Sequence, residues 1–364
     1  MHQSHRVLYQ AEDYPVFQNR MYETEQKARD CPKGDIRLVE DQRTGLVYNA
    51  SFRQELVNYD ACYQNEQAVS PLFKRHLEAV ARIIGQHLGH SALIEVGCGK
   101  AYFLEMLTQQ GYEITGFDPT YEGNSQSVRK EYFQEGCGIR AKGLILRHVL
   151  EHIADPVSLL NTLKHANGDA GRIYIEVPCF DWICNHKAWF DIFYEHVNYF
   201  RLSDLKRMFG EIIECGVLFG GQYLYVVADL SSLQSPQYDP DDAVNFPPDF
   251  TDSLISAGRQ AGRQAGRQAG RQAEQPACVW GGASKGVIFS LLRERAGYPV
   301  STVIDVNPAK QGKYLPGTGL KVESPDEALK KLAVGSTIYV MNSNYLEEIR
   351  EMSGNTYNYV GVDQ

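Results

Sequence analysis

Two glycines, two acids and three histidines carry most of the chemistry legible along this 364-residue chain. The glycines stand in Leu93-Ile94-Glu95-Val96-Gly97-Cys98-Gly99-Lys100-Ala101. The apolar run reads as a strand that ends in a turn, where residues lacking a Cβ let the backbone pass close to a ligand. The helix expected over Ala101–Gln109 then opens with backbone N–H groups that no carbonyl satisfies. Strand, glycine turn and helix start together suit a dinucleotide or an S-adenosyl group. Two details favour the S-adenosyl group. Glu95 precedes the first glycine, where dinucleotide folds usually carry an apolar residue. Tyr102 takes the place of a third glycine, where a pyrophosphate needs close helix approach. Asp118, in Gly116-Phe117-Asp118-Pro119, ends the next predicted strand about 20 residues on, the place of an acid that binds ribose hydroxyls. The plainer alternative is an ordinary turn with a solvated acid.

The histidines suggest acid–base chemistry. His148 and His152 lie four apart just after a predicted strand, Gly143–Leu146, and share a face on a helical turn. Ligands of α/β sheets sit at the carboxyl ends of strands. His196 follows Tyr194 and Glu195, beyond a second such strand, Arg172–Val177. A histidine beside a glutamate can act as a general base, the carboxylate orienting the ring and raising its basicity. His148 and His152 each read equally as a packed residue bonded to backbone, whereas for His196 beside Glu195 the functional reading leads.

The elements that must position them alternate strand and helix. Leu72, Phe73, His76, Leu77, Val80, Ile83, Ile84 and Leu88 recur at helical spacing from Pro71 onward. The strand Glu113–Phe117, the helix Pro156–Ala166 and the helix Ser203–Phe209 follow, and Val217–Phe219 with Tyr223–Ala228 forms a closing hairpin. This alternation predicts a doubly wound α/β sheet. A smaller α/β unit repeats the theme: strands Ala277–Gly281, Ser301–Asp305 and Thr337–Met341, with helices Lys285–Arg293 and Tyr345–Met352. The chain thus divides into an N-terminal lobe (1–70), a core (71–234), a linker (235–276) rich in proline and acid and containing four AGRQ repeats, and a C-terminal lobe (277–364). The repeats place Arg259, Arg263, Arg267 and Arg271 at i,i+4 spacing, which reads as a solvated linker helix weakened by its glycines.

Composition sets bounds on partners. A net charge of −9 argues against a general nucleic-acid or anionic-membrane binder. No apolar stretch is long enough to span a bilayer, and the segment after Met1 lacks a signal-peptide core. Eight scattered cysteines without a CxxC pair suit reduced thiols in a cytoplasm. The 22 tyrosines suit pockets for polar ligands, and Tyr59, Tyr63, Tyr194 and Tyr199 fall in segments expected to face one.

The Glu95–Gly99 turn with Gly116–Pro119 resembles class I S-adenosylmethionine-dependent methyltransferases. Three further segments extend the likeness: Arg147-His148-Val149-Leu150-Glu151-His152, Phe193-Tyr194-Glu195-His196, and, in the C-terminal lobe, Gly281-Gly282-Ala283-Ser284-Lys285-Gly286 with Lys310–Thr318. Together they resemble the three-part C-methyltransferases that act on nucleotide-linked deoxy-keto-sugars. The resemblance implies a class I methyltransferase sheet flanked by a small N-terminal lobe and a smaller Rossmann-like C-terminal lobe. It implies S-adenosylmethionine held by Glu95, Gly97, Cys98, Gly99, Asp118, Pro119, Arg147 and His148. It implies that a base removes a proton α to a ketone and that the enolate takes the methyl group in line. The catalytic set it implies is His196, Glu195, Tyr194, His152, His148 and Tyr63. Phe193 stands where this family carries a tyrosine, which leaves O- or N-methylation of another polar metabolite open. A non-catalytic relative is the other alternative.

The family also has an N-terminal zinc site built from two CxxC pairs. Here Asp41 and Thr44 take the places of one pair, and His2 with His5 keeps the spacing of the other. Three ligands do not complete a tetrahedral zinc site, so no metal is expected. In the C-terminal lobe, Gly281–Gly286 can cradle a phosphate, and Asp305 parallels Asp118. That lobe either binds the nucleotide part of a substrate or caps the core.

Overall fold

The computed structural model describes residues 5–57, 70–254 and 277–364. Tyr59, Tyr63, His2 and the AGRQ repeats lie outside the described residues.

The N-terminal lobe opens with β1 (His5–Pro15), helix α1 (Glu25–Arg29), β2 (Lys33–Asp41) and β3 (Val47–Asn49). β1 pairs antiparallel with β2, and β2 with β3. This sheet was not legible from the weak periodicity of the segment.

The core begins at helix α2 (Pro71–His87). Ser70 caps it by accepting the N–H groups of Leu72 and Phe73, and Pro71 fits the first turn, where no N–H is needed. Its buried face carries Phe73, His76, Leu77, Val80 and Ile84. Each such apolar side chain contributes roughly 1.5–3 kcal/mol by leaving water. Next come β4 (Leu93–Val96), α3 (Tyr102–Gln109), β5 (Ile114–Phe117), β6 (Val128–Arg129), β7 (Gly143–Arg147), α4 (Pro156–Ala166) and β8 (Arg172–Pro178). They are followed by α5 (Phe180–Asn185), β9 (Asn198–Tyr199), α6 (Leu202–Arg207), β10 (Ile212–Leu218) and β11 (Tyr223–Asp229). Seven strands form one sheet in the order β10-β11-β8-β7-β4-β5-β6. β4, β5, β6, β7 and β8 run parallel, while β11 enters antiparallel between β8 and β10. The predicted closing hairpin is therefore present, whereas β6 is too short to leave a pattern. Leu144, Ile145 and Leu146 are fully buried, as befits a central strand covered on both faces.

β9 leaves the core and completes the N-terminal sheet, pairing antiparallel with β3. Residues 235–254 are held rather than loose. Arg6 donates to the Val244 carbonyl, the Val244 N–H donates to Glu40 2.8 Å away, and Arg201 donates to the Asp242 carbonyl at 2.6 Å. The first half of the expected linker is thus a strap across the N-terminal lobe.

The C-terminal lobe contains β12 (Ala277–Trp280), α7 (Lys285–Arg295), β13 (Val300–Ile304), β14 (Val322–Glu323), α8 (Pro325–Leu329), β15 (Thr337–Val340), α9 (Leu346–Met352) and β16 (Asn358–Gly361). Its sheet is all parallel, in the order β14-β13-β12-β15-β16. Lys310–Thr318 serves largely to dock this lobe. Tyr314 exchanges two backbone hydrogen bonds with Tyr22, and the Gly317 N–H donates to the Ala28 carbonyl at 2.8 Å. Among the described residues the cysteines are free thiols, and no helix is long and apolar enough to cross a membrane.

Candidate active site

The glycine turn folds as its residue types dictate. Gly97 and Gly99 have φ of +73° and +52°, a region that costs other residues roughly 1–2 kcal/mol. A Cβ on Gly97 would sit 2.6 Å from Val149, so the turn packs directly on the segment that bears His148. No side chain caps α3. The Gly99 N–H donates to Asp118 Oδ2 at 2.8 Å, and Asp118 Oδ1 accepts the backbone N–H and hydroxyl of Thr120. Asp118 thus ties the turn to the end of β5. Pro119 is exposed beside it. The Cys98 side chain lies in the core, so close to Gly116 that a Cβ there would be 2.7 Å from its sulfur. Burial raises the thiol's pKa.

Glu95 is the telling acid. It is 3% exposed, and its Oε2 has no hydrogen-bond partner among the described residues. Burial pushes its pKa up to about 7; Arg147 opposes the shift and Asp118 adds to it. A buried carboxylate oxygen without a donor beside an open glycine turn fits a ligand that brings cationic or N–H groups, as an S-adenosyl amino acid does.

The histidines gather beyond the ends of β7 and β8. His148 has φ of +53° and its two ring nitrogens face two carboxylates. Nδ1 is 3.3 Å from Glu151 Oε1, and Nε2 is 3.1 Å from Glu176 Oε1 in an ion-pair contact rather than an aligned hydrogen bond. Burial alone would lower the His148 pKa; Glu151 and Glu176 outweigh it and hold it at about 9. His148 is therefore an imidazolium at neutral pH. His152 Nδ1 lies 3.0 Å from the Glu195 carbonyl oxygen, and its ring meets that of His196 edge-on at 4.8 Å. Burial drives the His196 pKa well below the ordinary histidine value, with His152 and His148 adding to the effect. The site thus pairs a cationic histidine with a neutral one. Glu151, His152 and His196 offer polar atoms within 4.8 Å of one another.

The Tyr194-Glu195-His196 run is split by the structure. His196 faces the cavity described below. Tyr194 is fully buried against the N-terminal lobe, stacked on Phe52, with its hydroxyl accepting the Arg53 N–H at 2.9 Å. Glu195 turns its carboxylate to the Gln18 N–H at 3.1 Å. The Tyr199 hydroxyl is spent on the Phe193 backbone, closing the loop that carries His196. In an irregular loop, consecutive side chains do not share a face, and sequence adjacency alone misplaces Tyr194, Glu195 and Tyr199.

One cavity of about 270 Å³ joins the core to the C-terminal lobe. On the core side it is lined by His148, Glu151, His152, Phe193 and His196, with Asp191 and Tyr223 that sequence reasoning missed. On the other side stand Gly281, Ala283, Ser284, Lys285, Asp305 and Lys310. Asp305 repeats the geometry of Asp118. Its Oδ2 accepts the Gly282 N–H at 2.9 Å, and its Oδ1 accepts the N–H of Asn307, two residues on, at 2.8 Å. Lys310 Nζ stands 3.4 Å from the same carboxylate. Lys285 reaches across the seam to Asp191 at 3.0 Å and to Gln222 Oε1 at 3.0 Å. At the metal position considered in the N-terminal lobe, His5 and Asp41 are register partners, and Arg43 holds the Asp41 carboxylate.

Residues 65–212 match the family model of a methyltransferase domain. No curated protein matches the chain. Among solved structures, similar folds include a SAM-dependent methyltransferase from Archaeoglobus fulgidus (19% identity, 42% of this chain and 94% of that one, TM-score 0.30). Others are the N-methyltransferase NodS from Bradyrhizobium japonicum (13%, 44% and 97%, TM-score 0.32) and, with bound SAH, magnesium protoporphyrin IX methyltransferase from Synechocystis (14%, 43% and 82%, TM-score 0.33). The family match and the strand order, rather than these likenesses, assign the domain. Residues 65–212 match a methyltransferase domain, and the sheet they build is the α/β sheet of the class I methyltransferase fold.

Proposed function

We propose that this protein methylates a carbon atom of a nucleotide-linked deoxy-keto-sugar. The observation that carries the reading is a cavity whose two walls differ in chemistry: imidazoles on the core side, and a second glycine turn with its aspartate on the other. A keto-sugar joined to a nucleoside diphosphate needs both. His196, neutral and facing the cavity, accepts the α-proton. The His148 cation lies close enough to shift the His196 pKa, so it also stabilises negative charge developing on the carbonyl oxygen. The turn at Gly281–Lys285 and the acid Asp305 hold the nucleotide part, as phosphates favour helix starts and ribose hydroxyls favour acids.

Glu95, Gly97, Gly99 and Asp118 hold the cofactor, which when bound supplies an electrophilic methyl group. Arg147 and His148, which the resemblance places beside the cofactor, are both engaged by Glu176.

Product NMR tests the substrate reading. A methyl group on carbon is expected with a nucleotide-linked keto-sugar; a methyl on oxygen or nitrogen would replace this reading with the alternative that Phe193 leaves open. Cofactor binding supplies a second prediction. With Glu95 titrating at about 7, affinity should rise as the carboxylate ionises, by about 10-fold between pH 6 and pH 8. Glu95→Gln should bind more weakly at pH 8 and lose the dependence in calorimetry. In the free protein the same group works the other way. It binds its proton more tightly when folded, so its contribution to stability declines as pH rises from the ordinary glutamate range through about 7.

A further inference from the structure

Glu176 takes no part in lining the cavity, yet it is the most heavily partnered acid near it. It sits on β8, an interior strand of the sheet, and is fully buried. Its Oε1 is 3.2 Å from His76 Nε2 on α2, 3.2 Å from Arg147 on β7 and 3.1 Å from His148 Nε2. Its Oε2 accepts the Tyr174 hydroxyl at 2.7 Å. Arg147 in turn lies over the Phe103 ring at 4.4 Å, in the first turn of the helix that follows the glycine turn, and its charge reaches Glu95. We propose that Glu176 is a positioning residue: it clamps His148 from behind the cavity and, through Arg147, ties the placement of that histidine to the cofactor turn.

Chemical necessity supports this. A buried carboxylate is costly unless several partners meet it, and here three hydrogen bonds and the ion-pair contact with His148 do. The burden is shared, because His148 in turn is caught between Glu176 and Glu151. The other groups facing His148 are the Tyr223 ring, edge-on at 4.6 Å, and His196. Neither carries a negative charge that could replace Glu176. The positive φ of His148 gives the clamp a purpose, since a strained backbone persists only where its surroundings hold it. The inference rests on the cavity being the substrate site, but its test does not need the sugar.

The test is Glu176→Gln with ¹⁵N-histidine NMR and pH–rate profiles. In the unaltered protein, His148 should remain protonated through pH 8. In Glu176→Gln it should titrate near neutrality, and turnover should fall roughly 100-fold at pH 8 with a smaller loss at pH 6. Glu176→Asp should restore most of the profile. An unmoved His148 titration, or an equal loss at every pH, would overturn the proposal. Should Glu176→Gln fail to fold, the unaltered protein still decides: a His148 that titrates with an ordinary histidine value overturns it. Should product NMR place the methyl group elsewhere, the His148 titration is unaffected, so the two readings fail separately.

Discussion

The His196→Ala protein is expected to bind S-adenosylmethionine with unchanged affinity while losing solvent-deuterium exchange at the substrate's α-carbon. Turnover should fall by roughly 10²–10⁴, the usual contribution of a positioned general base. Exchange isolates the proton transfer because it needs no methyl group. The prediction has a geometric basis. His196 is the member of the Tyr194-Glu195-His196 run that faces the cavity, and burial keeps it neutral and ready to accept a proton. A strongly depressed pKa also makes it a modest base in isolation, so its work depends on the nearby His148 cation stabilising the product of the transfer. Retained exchange in His196→Ala would move the role to His152, whose ring meets His196 at 4.8 Å.

The second large effect is a paired one. Asp118→Ala and Asp305→Ala make the same cut in two turns of the same design: each removes a carboxylate that accepts a glycine N–H and the N–H two residues on. Hydrogen bonds to a charged group contribute about 1.5–3 kcal/mol each, so losing the carboxylate should weaken the ligand of that turn by roughly 10²-fold. Asp118→Ala should weaken cofactor binding and leave the affinity for a nucleoside diphosphate alone. Asp305→Ala should raise KM for the nucleotide-linked substrate, with kcat and cofactor affinity retained. If Asp305→Ala leaves the substrate KM unmoved, the C-terminal lobe is a cap and the nucleotide is held elsewhere.

The parts legible in the sequence were those with strong local signatures. The α2 stripe, the Asp155-Pro156 helix start, the glycine turns and the antiparallel hairpin at β10–β11 all leave patterns within a dozen residues. The N-terminal sheet left none, because its fourth strand comes from residues 198–199, far along the chain. β6 and β14 are two residues long and leave no alternation to read. The site was half legible for the same reason. His148, His152 and His196 were found as residue types, but Glu176 sits in an apolar strand, Ile173-Tyr174-Ile175-Glu176-Val177, where the single acid was the signal that went unused. Asp191 and Gln222 acquire meaning only once Lys285, from another lobe, reaches them.

The pairing of β9 with β3 also has a consequence during synthesis. β3 is made by residue 49, but the strand that covers its outer edge ends at residue 199. At about 5–20 residues per second, the ribosome leaves that edge open for on the order of ten to thirty seconds. An uncovered strand edge is a template for pairing with another chain. The nascent N-terminal lobe is therefore the stage at which this protein is most exposed to misassembly, and the same short strand that sets the loop of His196 in place is what ends the exposure.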